Sequence, residues 1–277
     1  MKQKRIVTIQ DLSCIGKCSL GVALPVISAL GVETAVLPTA VLSTHTGEFK
    51  NYSFCDLTDE IPKISKHWEQ EKFEFDAIYV GYLGSVLQMK LVEEFIDKFR
   101  GKDTVVFIDP VMADNGELYA GFDKDYVKEM RRLLRCADII CPNLTEACFL
   151  TDTEYYDTQD KDFIEKVIEK VSTLCQNVVL TGVGYDEKTC GAVSWENGKI
   201  TEVFRKKTQG HFYGTGDLFA SAFIGKYVIS KDFEKAINLA ADFVTKSIEL
   251  TLDEKEKYWY GLKFEQALSI LINKGEN

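Results

Sequence analysis

A chain of 277 residues is long enough for one large α/β domain or two small ones, and either can bury a substantial core. With 45% hydrophobic and 27% charged residues it is not a disordered polymer. Its formal net charge of −10 repels phosphate backbones and argues against nucleic acid as a partner, so a small anionic ligand needs a local positive site made of backbone amides or a metal.

Residues 5–10 (RIVTIQ) form a short apolar run rich in β-branched side chains and predict a buried strand. A polar turn, DLSCIGK, is expected next, followed by an apolar helix over about 19–30 that Gly31 closes. Residues 32–42 read as a strand interrupted at Pro38. A polar loop and an amphipathic helix occupy SFCDLTDEIPKISKHWEQEKF, and DAIYVGY (76–82) is the next strand. A helix over 87–99 ends before Gly101, and the strand TVVFI (104–108) runs into DPVMADNG. Further helices are expected over 125–136, from TEACFLT at 145 and over 162–175, with strands at ADIICPN and NVVLT (177–181). The stretch after Thr181 has glycine turns, including Asn197-Gly198, between β-like runs and predicts an antiparallel hairpin. Helices at about 216–229, 232–250 and 263–273 complete the chain. Strands and helices that alternate, with near-continuous apolar strands, imply a mostly parallel sheet covered on both faces. No repeat or linker interrupts the pattern, so a single domain over 1–277 is expected.

No apolar run reaches the roughly 18 residues of a membrane span, so no membrane partner is expected. The N-terminal stretch has no long apolar core and no small-residue cleavage site, which predicts no signal peptide. Eight cysteines form no C-x-x-C pair and read as reduced thiols of a cytoplasmic protein. His45, His67 and His211 stand near no cysteine pair, which argues against a zinc site.

Ligands of open parallel sheets bind beyond the carboxyl ends of the strands. The residues there are Asp11, 43–47, Gly81-Tyr82, 109–116, 143–146, 181–184 and 214–217, polar and glycine-rich where the strands are apolar. Gly214 and Gly216 let the backbone turn tightly at the start of a helix whose first amides lack internal partners. Those amides and the helix dipole make an anion site, and Asp217 stands beside it as a candidate base. Phosphoryl transfer needs both features; a plain tight turn with an acid at a helix N-terminus is the competing explanation. Asp109 with Asp114 has the oxygen ligands for Mg²⁺, while Asp114-Asn115-Gly116 also suits an ordinary turn. Asn143 and Glu146 have the spacing of a helix N-cap pair. Two weaker signals fail: DLSCIGKCS has Asp11 and Cys18 where a P-loop needs Gly and Ser or Thr, and Gly182-x-Gly184 lacks the third glycine of a dinucleotide site.

Taken together, I-Q-D (9–11), S-T-H-T-G (43–47), G-Y-L-G-S (81–85), D-P-V-M-A-D (109–114), C-P-N-L-T-E (141–146) and G-T-G-D (214–217) resemble the pyridoxal kinase family of the ribokinase-like superfamily. The motifs occur in that family's order across nearly the whole chain. The resemblance implies a three-layer α/β/α fold with a small antiparallel flap. It implies ATP-dependent phosphorylation of the 5′-hydroxymethyl group of pyridoxal, pyridoxine or pyridoxamine. Asp217 is then the base and Gly214, Thr215 and Gly216 the anion hole. Asp109, Asp114 and Glu146 arrange Mg²⁺ and the triphosphate, with Asn143 nearby, and Thr181 touches ATP. Thr46 and Tyr82 bind the pyridine ring, with His45 beside it. A homodimer and help from a monovalent cation, K⁺ or Na⁺, are further implications. Asp11 stands where familiar members carry a serine that bonds the ring, and Cys141 replaces a threonine at a cation-site position. Two other activities compete: a hydroxymethylpyrimidine kinase with the same phosphate chemistry, and a non-catalytic vitamer-binding protein. The first strand runs into Q-D-L-S, unlike the glycine- and serine-rich turn of the former, and an intact Asp217 is superfluous in the latter.

Overall fold

The computed structural model describes residues 3–156 and 160–274. The expected span of 1–277 therefore includes eight residues (1, 2, 157–159 and 275–277) that lie outside the described ones. In chain order the strands are β1 (Arg5–Ile15), β2 (Glu33–Thr44), β3 (Phe54–Asp56), β4 (Ala77–Val80), β5 (Val105–Ile108), β6 (Ala113–Asp114), β7 (Glu117–Leu118), β8 (Ile139–Ile140), β9 (Asn177–Val183), β10 (Thr189–Glu196) and β11 (Lys199–Lys206). The helices are α1 (Leu20–Ala29), α2 (Ile61–Gln70), α3 (Val86–Phe99), α4 (Lys124–Leu133), α5 (Leu144–Leu150), α6 (Lys161–Val171), α7 (Thr215–Ser230), α8 (Phe233–Leu252) and α9 (Leu268–Lys274).

One nine-stranded sheet has the order β11-β10-β9-β8-β5-β4-β1-β2-β3. The strands from β9 through β2 are parallel, and β3, β10 and β11 add antiparallel edges. β6 and β7 make a separate antiparallel pair, in keeping with the small antiparallel unit that the resemblance implied, while the hairpin expected from the sequence pattern after Thr181 is β10–β11. Buried on both faces, β4, β5 and β8 are apolar at every position, and side chains of the inner strands alternate between two cores. Ile78 and Val80 of β4 enter the core beneath α2–α6. Ala77 and Tyr79 of the same strand enter the core beneath α1 and α7–α9. This is a three-layer α/β/α architecture.

β1 is the chief departure from expectation. The turn expected from Asp11 is strand, and β1 continues to Ile15. β4 pairs only with Ile6–Ile9, so residues beyond Gln10 pair with β2 alone and project past the sheet edge. The register slips between Gln10 and Leu12, so that Asp11 faces both Thr39 and Ala40, just after Pro38. Proline has no N–H to give the ladder and suits such an irregularity. The chain leaves β1 toward β2 on one side and returns to β4 on the other, which places the topological switch point between β1 and β4. The Asn197-Gly198 turn joins β10 to β11 with both φ values positive, 50° and 87°, the conformation a two-residue hairpin of this twist requires.

Candidate active site

The carboxyl ends of β1, β4, β5, β8 and β9 deliver Asp11, Tyr82, Asp109, Asn143 and Thr181 to one rim of the sheet. α7 starts at the same rim. Gly214 caps it in the left-handed conformation, φ 81°, and a Cβ there would overlap the Lys17 carbonyl oxygen. Only glycine fits this position on both counts. The first bond of the helix runs from Leu218 N–H to the Gly214 carbonyl, at 3.0 Å. Among the described residues no acceptor meets the amides of Thr215, Gly216 or Asp217. Gly216 is exposed, with open space where its side chain would be. A helix N-terminus with three free amides opening to solvent is an anion site.

Asp217 lies in the first turn of α7 and keeps part of its surface open. Burial pushes its carboxyl up to about 7; the Ser19 backbone N–H pulls against the shift and the Asp11 charge adds to it. A carboxyl with this pKa is matched to general-base work near neutral pH. Asp109, at the end of β5, is raised well above the carboxylate range by burial, then by the charges of Glu146 and Asp217. Its carboxylate accepts no hydrogen bond and pairs with no cation among the described residues. Tyr79 of β4, fully buried, lies below this pair and feels both charges.

Asn143 and Glu146 form a complete capping box at the start of α5. The Asn143 side chain accepts from Glu146 N–H at 2.9 Å, and Glu146 Oε2 accepts from Asn143 N–H at 2.8 Å. The box also reaches sideways. Glu146 Oε1 accepts from Met112 N–H at 3.0 Å, and Asn143 Nδ2 donates to the Ala113 carbonyl at 2.8 Å. The pair thus fixes the loop that carries Asp109 and Asp114. Burial raises the Glu146 carboxyl to about 8, opposed by the amides of Asn143, Met112 and Ala113. Asp114 turns back to the Asn115 amide at 2.9 Å, as a turn residue does. Among the described residues no three His, Cys, Asp or Glu side chains are grouped to hold a metal alone. Glu146 and Asp114 give their oxygens to backbone and Asn115 donors, but the buried Asp109 carboxylate has no such partner and fits a divalent cation that brings its own anionic ligand. Thr181 packs on the β8 extension, its N–H donating to the Pro142 carbonyl at 2.9 Å, and Thr215 Oγ1 lies 3.5 Å from the Phe212 carbonyl.

On the opposite side of Asp217 the pattern is different. Asp11 is 6% exposed, with Ser13 Oγ donating to it at 3.2 Å, and burial raises its carboxyl against the pull of the Ser19 and Ser13 hydroxyls. Tyr82 is half-buried; burial pushes its phenol up to about 12 and the Asp11 charge adds to the shift. Thr46 is exposed, whereas His45 is buried with both ring nitrogens bonded to the protein. Sequence reasoning passed over Ser19, which faces both Asp11 and Asp217, and the aromatic residues Tyr213, Trp259 and Tyr260 around His45. Ser19 has a visible signal in its position just before α1, but the aromatic residues lie in loops with no motif.

A profile of the phosphomethylpyrimidine kinase family matches residues 23–259. A Bacteroides thetaiotaomicron protein assigned to the phosphomethylpyrimidine kinases, in a crystal form with pyridoxal, superposes with a TM-score of 0.92 at 37% identity, covering 98% of this chain and 96% of that one. The pyridoxal kinase of Lactobacillus plantarum superposes with a TM-score of 0.91 at 29% identity, covering 99% and 98%. The pyridoxal kinase of Dictyostelium discoideum is 25% identical over 295 residues, spanning 98% of this chain and 96% of its own. These likenesses bear out the resemblance carried by the motifs. A match that begins in α1 and ends at the aromatic segment beside His45, joined to that degree of identity along the whole sheet, makes this chain a member of the phosphomethylpyrimidine kinase family.

Proposed function

We propose that the chain is an ATP-dependent kinase that phosphorylates the 5′-hydroxymethyl group of pyridoxal, pyridoxine or pyridoxamine. The observation that carries the reading is Asp217: a carboxyl raised to about 7, partly open, beside three unpartnered amides of α7. Above that pH Asp217 is ionised and takes the proton of the attacking hydroxyl. The amides of residues 215–217 hold the oxygens of the phosphoryl group in transfer, where negative charge must be met by fixed donors. Thr181 and Thr215 face the nucleotide, and Asn143 and Glu146 keep the Asp109 loop in place. Mg²⁺ held by Asp109, Asp114 and Glu146 would neutralise triphosphate charge. Thr46 and Tyr82 border the ring. Asp11, already beside Tyr82 and Ser13, accepts from the ring's phenolic hydroxyl or pairs with a protonated ring nitrogen. A K⁺ or Na⁺ ion near Cys141 assists the nucleotide side.

The whole chain acts as one kinase domain. No helix among the described residues is long and apolar enough to cross a membrane, and eight free cysteines suit a reducing cytoplasm. The projecting arm of β1, β2 and β3 exposes Leu12, Ile15 and Phe54, a surface suited to a second copy of the chain. Sedimentation at micromolar concentration reads this directly, and a monomer there removes the homodimer.

The family's own description supplies the second reading, phosphorylation of a hydroxymethylpyrimidine. The pyridoxal seen with the Bacteroides relative and the Asp11-Leu12-Ser13 strand favour the pyridine substrate. Parallel ATP-consumption assays with pyridoxal, pyridoxine, pyridoxamine and hydroxymethylpyrimidine test both. We expect turnover on at least one B6 vitamer with higher kcat/KM than on the pyrimidine. The reverse order establishes the second reading, and tight binding without turnover establishes a binding protein.

A further inference from the structure

Four segments distant in the chain interlock around His45. Its ring is 6% exposed. Gly47 N–H donates to Nδ1 at 3.1 Å, and a backbone amide can only donate, so Nδ1 is the unprotonated nitrogen. The proton therefore sits on Nε2 and is donated to the Tyr260 carbonyl at 2.9 Å. Neither nitrogen is left for a ligand. The faces of the imidazole are used as well: Phe49 meets it at 4.9 Å between centroids and Tyr213 at 5.1 Å. Phe49 in turn packs on Trp259 at 4.5 Å.

The loop that holds His45 is tied to the phosphate turn by a second bond. Tyr213, next to Gly214, donates its hydroxyl to Glu48 at 2.9 Å. Glu48 is held at φ 54°, a left-handed conformation that a non-glycine residue keeps only where its surroundings enforce it. A Cβ on Gly47 would fall 2.6 Å from the Tyr213 ring, and one on Gly16 would meet His45 Cδ2 at 2.5 Å. Four segments therefore converge: the end of β1, residues 45–49, the turn before α7, and residues 258–260. Thr46 is flanked on both sides by bonded residues, yet it is itself exposed toward solvent.

We infer that His45 is a positioning residue: with Phe49, Tyr213, Trp259 and the Tyr260 carbonyl it forms an aromatic bracket that sets the ring-binding loop 45–49 against the phosphate turn, and it does not itself bind the vitamer. The inference rests on the kinase reading and deepens it. The bracket fixes the distance between the ring subsite at Thr46 and the anion hole at Gly214. It acts on the ring substrate more than on ATP, which is held mainly from β5, β8 and β9, with Thr215 of α7.

The test measures KM for pyridoxal and for ATP in the wild type and four variants. His45→Phe keeps the ring and removes both hydrogen bonds; KM for pyridoxal should rise about tenfold while KM for ATP stays within about twofold. His45→Gln offers one acceptor and one donor at all pH values and should recover most of that loss. Trp259→Ala, on the solvent side of the bracket and in contact with Phe49, should raise pyridoxal KM in the same direction. The His45→Phe/Trp259→Ala double variant should lose less than the product of the two single losses, because both act through one element. Wild-type turnover is read first, and its absence removes the kinase reading together with the bracket. With an active wild type, a silent Trp259→Ala, or a Gln variant as damaged as the Phe variant, overturns the bracket alone.

Discussion

The proposed reaction concentrates its chemistry in one side chain, Asp217. Burial, with the Asp11 charge, disfavours its ionised form against the pull of one backbone N–H from Ser19. Asp217→Asn should keep ring binding and lower turnover by roughly 10²–10⁴-fold, the usual worth of a positioned base. The wild-type rate should rise with pH through about 7 as Asp217 ionises. Near-normal kcat in the Asn variant, or a rate that falls across that interval, would remove the assignment. Asp11 is the residue that sets this chain apart from the serine-bearing pattern of the pyridoxal kinases. Buried against Ser13 and close enough to Tyr82 for its charge to raise the phenol, it stands where we propose the ring binds. Asp11→Ser should therefore change the ranking of pyridoxal, pyridoxine and pyridoxamine more than it changes KM for ATP, and steady-state kinetics on the three vitamers decides.

At the scale of elements, the short helix α5 does more than connect β8 to α6. Its capping box satisfies its own first amides and, through Met112 and Ala113, holds a loop some thirty residues earlier in the chain. Asn143→Ala should cost about 1–2 kcal/mol of stability in urea denaturation, the value of a cap plus a side-chain bond to a carbonyl. The same variant should raise KM for ATP more than KM for pyridoxal, because the freed loop carries Asp109. Equal effects on both substrates would separate the cap from the nucleotide side. The long β1–β2 ladder is the corresponding element on the ring side. It carries Asp11 at its irregularity and His45 just beyond its end.

For the molecule as a whole, the rim gathers Asp11, Asp109, Glu146 and Asp217, all with raised pKa. Each binds its proton more tightly folded than unfolded. The stability they contribute is complete below the unfolded values of 3.8 and 4.5 and is lost as pH rises through the folded values, about 7 for Asp217 and about 8 for Glu146. The melting temperature should fall between about pH 5 and about pH 9, and Mg²⁺ with ATP should restore part of the loss at the alkaline end. A melting temperature that climbs steadily over this interval would mean that these acids are paired in a way the fold does not show. The net charge of −10 makes the point general: an acidic protein that handles anions needs a local positive site of backbone amides or a metal, and the start of α7 offers amides at the rim.

Local pattern settled most of the architecture. Apolar strands such as 78–80 and 105–108, and helices with apolar residues at helical spacing, announce a parallel sheet covered on both faces, because burial on two sides leaves no polar alternation to misread. The placement of Asp109, Glu146, Asp217, Gly214 and Gly216 at the rim was legible for a related reason: they follow directly on strands or open helices. The polar run 11–15 looked like a turn and is strand, since pairing with β2 outside the sheet needs no apolar face. The neighbours of His45 were invisible in one dimension, as Gly16, Tyr213 and Tyr260 come from three distant segments that meet only when α7 and α8 pack on the sheet. Only the folded chain could show that this histidine spends both nitrogens on the protein, because a hydrogen bond to a carbonyl 215 residues away leaves no trace in local composition.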